Sequence, residues 1–145
     1  MATIEISTYI NVSPDVLWEE LRHIDRHVNW MHDAASISFL SSTTEGIGTQ
    51  FNCLTKVGPF KTTDVMTITQ WEEARTMGVE HVGLVKGSGI FTITPSGNTS
   101  TLTWKEQLTF PWWMLGELGS YFASPILKII WKNNLRNLKN IVETK

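Results

Sequence analysis

A chain of 145 residues with 41% apolar and 18% charged side chains suits one folded domain, spanning 1–145, and is too apolar for disorder. A formal charge of −2, with no Lys/Arg cluster interleaved with aromatics, excludes nucleic acid as a partner. The lone Cys53 can form no internal disulfide and no signal-peptide pattern opens the chain, so a reducing, cytoplasmic setting is expected and the Asn11 and Asn98 glycosylation triplets are chance matches.

Alternating Ile4, Ile6, Thr8, Ile10 and Val12 predict a strand over 3–12. Ser13 is a good N-cap, and Pro14 suits the first helical position, where no amide donor is needed. Val16, Leu17 and Leu21 then share one face of a short helix ending near His23 or Ile24, and Asp25 caps a second over 26–31. Strands follow over 35–43, 49–57, 60–71, 76–84, 88–94 and 99–110, rich in Thr, Val and Ile. Between them stand turn residues, among them Gly46 and Gly48, Gly58-Pro59, Lys86-Gly87 and Gly97-Asn98. Seven strands joined mostly by short turns predict a sequential antiparallel sheet.

Pro111 opens a helix running to about Val142, on the order of 45–50 Å long. Pro125 is expected to kink or break it. Its first half is apolar on more faces than one sheet can cover, leaving surface for a pocket mouth, the second subunit of a homodimer, or lipid. The stretch from Trp112 to Trp131 has nearly the length of a membrane span, but Glu117, Ser120, Ser124 and Pro125 interrupt it, so no stable membrane insertion is expected.

These features together resemble the Bet v 1-like or START-like (SRPBCC) superfamily, above all its bacterial polyketide cyclase/dehydrase and lipid-transport branch. The resemblance is carried by the Ile-x-Ile strand into Ser13-Pro14-x-x-Val16-x-Trp18, by Trp30, by Gly46-x-Gly48-Thr49-x-Phe51, by Thr101-x-Thr103-Trp104 and by the terminal helix. It implies an α+β helix-grip fold: a seven-stranded antiparallel sheet curled around the long C-terminal helix, with two short helices after the first strand. It also implies a cavity for lipids, sterols, polyketides or other apolar molecules. It implies no activity, because the family mixes carriers, sensors, cyclases and proteins without a known reaction.

Glu106 is the first candidate for chemistry. It shares a strand face with Leu102, Trp104, Leu108 and Phe110, so burial would raise its pKa and suit it to acid–base work. The competing reading has it turned outward by a bulge or paired with a Lys or Arg. Asp64 shares a face with Phe60, Met66 and Ile68 more weakly, and a surface Asp is its competing reading. His81 alternates with Met77 and Val79 and reads as a hydrogen-bonded structural residue, while His32 and Asp33 suit a cavity entrance. His23 and His27 are four apart, but Asp25 breaks the helix between them and no H-E-x-x-H occurs, so no metal is expected. Cys53 reads as a small core residue, Gly87 and Gly89 as hairpin residues, and no cofactor is implied.

Phe51, Phe91, Ile93, Leu102, Trp104, Leu118, Phe122 and Ile126 are expected to surround a small hydrophobic ligand, with Glu106 orienting it. The alternatives are a cyclase, dehydratase or isomerase using Glu106 with Asp64 or a pocket histidine, and an interaction module with a filled core and an apolar patch at Trp112, Trp113 and Met114.

Overall fold

The alternation read along the chain becomes one continuous sheet in the computed structural model, which describes residues 2–114 and 116–145. Its strands are β1 (Ala2–Ile10), β2 (Ala34–Phe39), β3 (Gln50–Val57), β4 (Phe60–Glu72), β5 (Thr76–Val82), β6 (Lys86–Ser96) and β7 (Thr99–Thr109). They lie in the order β1-β7-β6-β5-β4-β3-β2, every pair antiparallel. Register shifts at Ala34/Ser36 in β2 and at Ile68/Gln70 in β4 add local twist, which helps the sheet curl. The strand-borne residues Ile4, Ile6, Leu102, Trp104 and Leu108 point to the concave side and are buried there.

Helix α1 (Pro14–Leu21) begins as its sequence requires, with the Ser13 hydroxyl accepting from the Val16 amide at 3.3 Å. The second short helix departs from expectation: it is a 3-10 helix, Ile24–Asn29, with Asp25 inside it and His23 at the uncapped N-terminal position. Helix α2 (Gly116–Glu143) lies across the concave face, preceded by a 3-10 turn, Trp112–Met114. It runs unbroken through Pro125, so of the expected kink or break the break does not occur. Pro125 sits on the exposed side, so solvent can take the carbonyl that its missing amide leaves unbonded.

Packing of α2 decides the geometry of the interior. Trp131, Leu135, Leu138 and Val142 face the sheet and are buried. At the C-terminal end Lys139 Nζ donates to the Tyr9 carbonyl at 2.7 Å, and Glu143 accepts from the Asn11 amide at 2.7 Å. Midway, Trp131 Nε1 and Asn134 Nδ2 donate to the two oxygens of Asp33 at 3.1 and 2.7 Å, tying α2 to the start of β2. Among the described residues no helix is long and apolar enough to cross a membrane.

Candidate functional site

Between the sheet and the stretch of α2 from Ala123 to Trp131 lie two adjoining cavities. The inner one, about 140 Å³, is walled by Phe51, Phe91, Trp104, His27 and Glu106 among others. The outer one, about 270 Å³, opens between Phe60, Phe110, Ala123, Ile126 and Leu127. Asp33, Thr55, Asp64, His81, Leu108 and Trp131 line both and so form their common wall.

The polar part of that wall is built across three strands. His81 on β5 and Glu106 on β7 are separated by β6, yet His81 Nε2 donates to Glu106 Oε2 at 3.0 Å. They meet because β6 carries no side chain between them: Gly87 pairs with His81, and Gly89 pairs with Glu106. A Cβ at position 89 would stand 2.2 Å from Glu106 Oε1, and one at 87 would stand 2.1 Å from the Gln107 carbonyl oxygen and 3.1 Å from His81 Cε1. Gly89 therefore makes room for the Glu106 carboxylate and Gly87 for the β7 backbone and the His81 ring; both are strand residues, not the hairpin residues expected, and the turn falls at 83–85. Gly83 does the same for Asp64, since a Cβ there would lie 1.8 Å from Oδ1.

Glu106 faces the concave side and is buried, with neither the outward bulge nor the Lys or Arg partner of the competing reading. Its second oxygen, Oε1, accepts from Trp104 Nε1 at 3.0 Å, so both carboxylate oxygens are engaged. Burial opposes a charge on His81, but the hydrogen bond and charge of Glu106, the charge of Asp64 and a bond with the Val85 backbone together hold its pKa above the usual histidine value. Asp64 is also buried, and burial pushes its carboxyl up, against the pull of His81 and of two hydroxyls. Those hydroxyls, Thr55 and Thr62, donate at 3.3 and 3.5 Å, both long for O–H···O bonds. Of the two acids Asp64 is thus the one with hydrogen-bonding capacity to spare.

Other cavity groups are quiet. Burial lowers His27 to about 4, and its neutral ring donates from Nε2 to the Leu21 carbonyl at 2.8 Å. Burial likewise raises the Cys53 thiol to about 11. His27, Trp30, Phe91 and Trp104 pack edge-on or tilted, and Trp104 stacks on Trp131 with centroids 5.0 Å apart. Among the described residues no group of three or more His, Cys, Asp or Glu side chains is placed to hold a metal ion.

Residues 1–143 match the family model described as polyketide cyclase / dehydrase and lipid transport. The chain belongs to this family. Its fold is shared with a conserved protein from Geobacillus kaustophilus at TM-score 0.82 and 10% identity, covering 99% of this chain and 96% of that one. The Zhui aromatase/cyclase from Streptomyces sp. R1128 superposes at TM-score 0.75 and 15% identity, covering 98% and 93%. A START superfamily protein from Mycobacterium smegmatis does so at 0.74 and 12%, covering 98% and 97%. These likenesses establish the START-like helix grip. Among curated proteins no sequence matches the chain.

In this family member the residues expected around a ligand divide into three groups. Phe51, Phe91, Trp104 and Glu106 come together in the inner cavity, with Asp64 at the junction and Ile126 on the outer rim. Ile93 and Leu102 are buried but line neither cavity, because they lie farther along β6 and β7, beneath the clamped part of α2. Leu118 and Phe122 are more than half exposed and line neither cavity. They sit on the helix face opposite Trp131 and Leu135, a separation the 3.6-residue period enforces once that buried face is chosen. Of the apolar patch expected at Trp112, Trp113 and Met114, Trp112 and Trp113 are exposed, and the Met114 side chain lies outside the described residues. His81 is the residue undervalued from sequence; the signal for it was the glycine pair at 87 and 89, read as a turn.

Proposed function

We propose that this protein binds a small, largely apolar ligand in the two adjoining cavities, with one polar group of the ligand turned toward Asp64. The observation that carries the reading is a space flanked by aromatic and aliphatic side chains whose polar groups converge on one place. Taken together the two volumes fall within the roughly 300–1,000 Å³ of small-molecule sites. Glu106 and His81 satisfy each other, whereas Asp64 keeps weak partners and a raised pKa. A free carboxylate ligand would face the three acids Asp64, Glu106 and Asp33, and His81 on that wall already donates to Glu106. A neutral hydroxyl, phenol or carbonyl compound meets no such repulsion.

Saturable binding of a neutral naphthalene-type fluorophore, and a small molecule carried through native mass spectrometry of freshly purified protein, are the expected results. Asp64→Leu should weaken a phenol-bearing ligand about tenfold, the loss of one hydrogen bond to a buried acceptor. Absence of saturable binding by the wild type would overturn the reading.

A second reading is favoured by the line of Asp64, His81 and Glu106, in which a carboxyl with raised pKa stands near an imidazole whose pKa is also raised: proton transfer on a bound carbonyl compound. One structural neighbour is named an aromatase/cyclase. Turnover of an aromatic carbonyl substrate that His81→Gln abolishes while binding persists would support it. Binding without turnover in both proteins leaves the carrier reading.

A further inference from the structure

Two acceptors on the cavity wall keep capacity that the protein's own donors do not fill, and they stand at different depths. One is the Asp64 carboxyl, which lines both cavities and so marks their junction. The other is on His27, which lines the inner cavity and not the outer, as does Ile24 on the same 3-10 helix. His27 therefore stands at the end away from the junction.

The tautomer of His27 is fixed by its own contact. Nε2 lies 2.8 Å from the Leu21 carbonyl, which can only accept, so Nε2 carries the proton and Nδ1 a lone pair. Burial keeps the ring neutral, with a pKa of about 4. No described residue donates to Nδ1. Among the described residues the buried side-chain polar atom lacking both a partner and solvent contact is Trp30 Nε1, so Nδ1 is not sealed off. His27 is only 6% exposed, and the space beside it is the inner cavity. A lone pair in that setting selects a donor. A ligand carbonyl or ether oxygen there would set lone pair against lone pair. An ammonium would give up its hydration for one neutral acceptor, whereas a hydroxyl satisfies Nδ1 at no such cost.

Between the two acceptors the space fits a ring. The inner cavity, about 140 Å³, is close to the roughly 150 Å³ apolar cavity that takes up one benzene. Phe51, Phe91, Trp104 and Trp131 are in its wall and offer the faces and edges against which an aromatic ring packs. The outer cavity, about 270 Å³, is lined by Val57, Leu84, Val85, Ile126 and Leu127, branched aliphatic residues suited to a flexible chain.

We propose that His27 Nδ1 accepts a hydrogen bond from a hydroxyl at the inner end of the ligand. The ligand class is then a single aromatic ring with an alkyl chain and two hydroxyls, one opposite the chain for His27 and one beside it for Asp64. This rests on the ligand reading above and adds to it the ring, the chain and the second contact.

The experiment is calorimetric titration of wild type, His27→Phe and Asp64→Leu with hexylresorcinol, whose hydroxyls lie ortho and para to the chain. Ortho-hexylphenol and para-hexylphenol, each lacking one of those hydroxyls, are titrated beside it. On wild type, ortho-hexylphenol, without the inner hydroxyl, should bind about tenfold more weakly than hexylresorcinol. A cavity selecting by apolarity alone gives the opposite order, because the compound with one hydroxyl fewer is the more apolar. In His27→Phe that preference should vanish, while para-hexylphenol stays about tenfold weaker than hexylresorcinol; in Asp64→Leu the two effects exchange. On wild type alone, the His27 Nδ1 resonance of isotope-labelled protein should move with hexylresorcinol and para-hexylphenol but not with ortho-hexylphenol. Hexylresorcinol binding no tighter than ortho-hexylphenol overturns the proposal, as does a preference that His27→Phe retains or an Nδ1 resonance that stays put. If the naphthalene-type fluorophore still binds saturably, the ligand reading survives that failure; if neither it nor any hexyl compound binds, both fall.

Discussion

Gly89→Ala tests whether the empty strip on β6 is what permits the buried pair above it. The new methyl carbon would stand 2.2 Å from Glu106 Oε1 and 2.7 Å from Cδ, well inside van der Waals contact. The backbone of β6 is held on both sides, by β5 and by β7, so the carboxylate must move instead. Moving it breaks or stretches the bonds from His81 Nε2 and Trp104 Nε1, each 3.0 Å long. Hydrogen bonds to a charged group contribute about 1.5–3 kcal/mol each, so partial loss of both costs about 3 kcal/mol. For a domain of this size that lowers the melting temperature by about 6–12 °C. The assay is urea and thermal unfolding of wild type, Gly89→Ala, Glu106→Ala and the double variant. With the carboxylate gone the clash is gone too, so in the Glu106→Ala background the glycine substitution should cost almost nothing, as Ala is better suited than Gly to a strand. A Gly89→Ala protein within about 0.5 kcal/mol of wild type, or costs that simply add in the double variant, would refute the argument.

Two further outcomes follow from burial of titratable groups. His27 binds its proton at about 4 in the folded protein but at the ordinary 6.5 once unfolded, so the unfolded chain takes up the proton first as pH falls and stability is lost between those values. The loss attributable to His27 by pH 4 is about 3 kcal/mol. Wild-type and His27→Gln unfolding free energies should therefore converge by about that amount between pH 7.5 and pH 4, and parallel curves would rule this out. Cys53, buried and with its thiol raised to about 11, should react with iodoacetamide at pH 8 about 100-fold more slowly than a free cysteine, and more slowly still with a ligand in the inner cavity. A rate within about tenfold of the free thiol would contradict its placement.

Much of the architecture was legible along the chain. Alternation with period two identified seven strands and grouped Glu106 with Leu102, Trp104 and Leu108 on one face of β7, while an outward bulge at Glu106 stayed open until the strand proved regular. Ser13-Pro14 announced α1, and short turns required an antiparallel sheet in chain order from β2 to β7; β1, which pairs with β7 at the far edge from β2, departs from the expected sequential order. The terminal helix was evident from its length and apolar content, and so was its surplus of apolar faces.

What the linear pattern could not hold is which side chains meet. His81 and Glu106 are 25 residues apart and two strands apart, and they touch only because register sets Gly87 and Gly89 between them. A glycine in a strand and a glycine in a turn look alike in one dimension; opposite neighbours tell them apart. The helix likewise offered several apolar stripes, and the curl of the sheet with the Asp33 clamp chose the one carrying Trp131 and Leu135, turning Leu118 and Phe122 to the outside. Periodicity encodes the direction of a side chain relative to its own backbone. The identity of what it faces is a property of register and curvature, which arise only when the strands assemble.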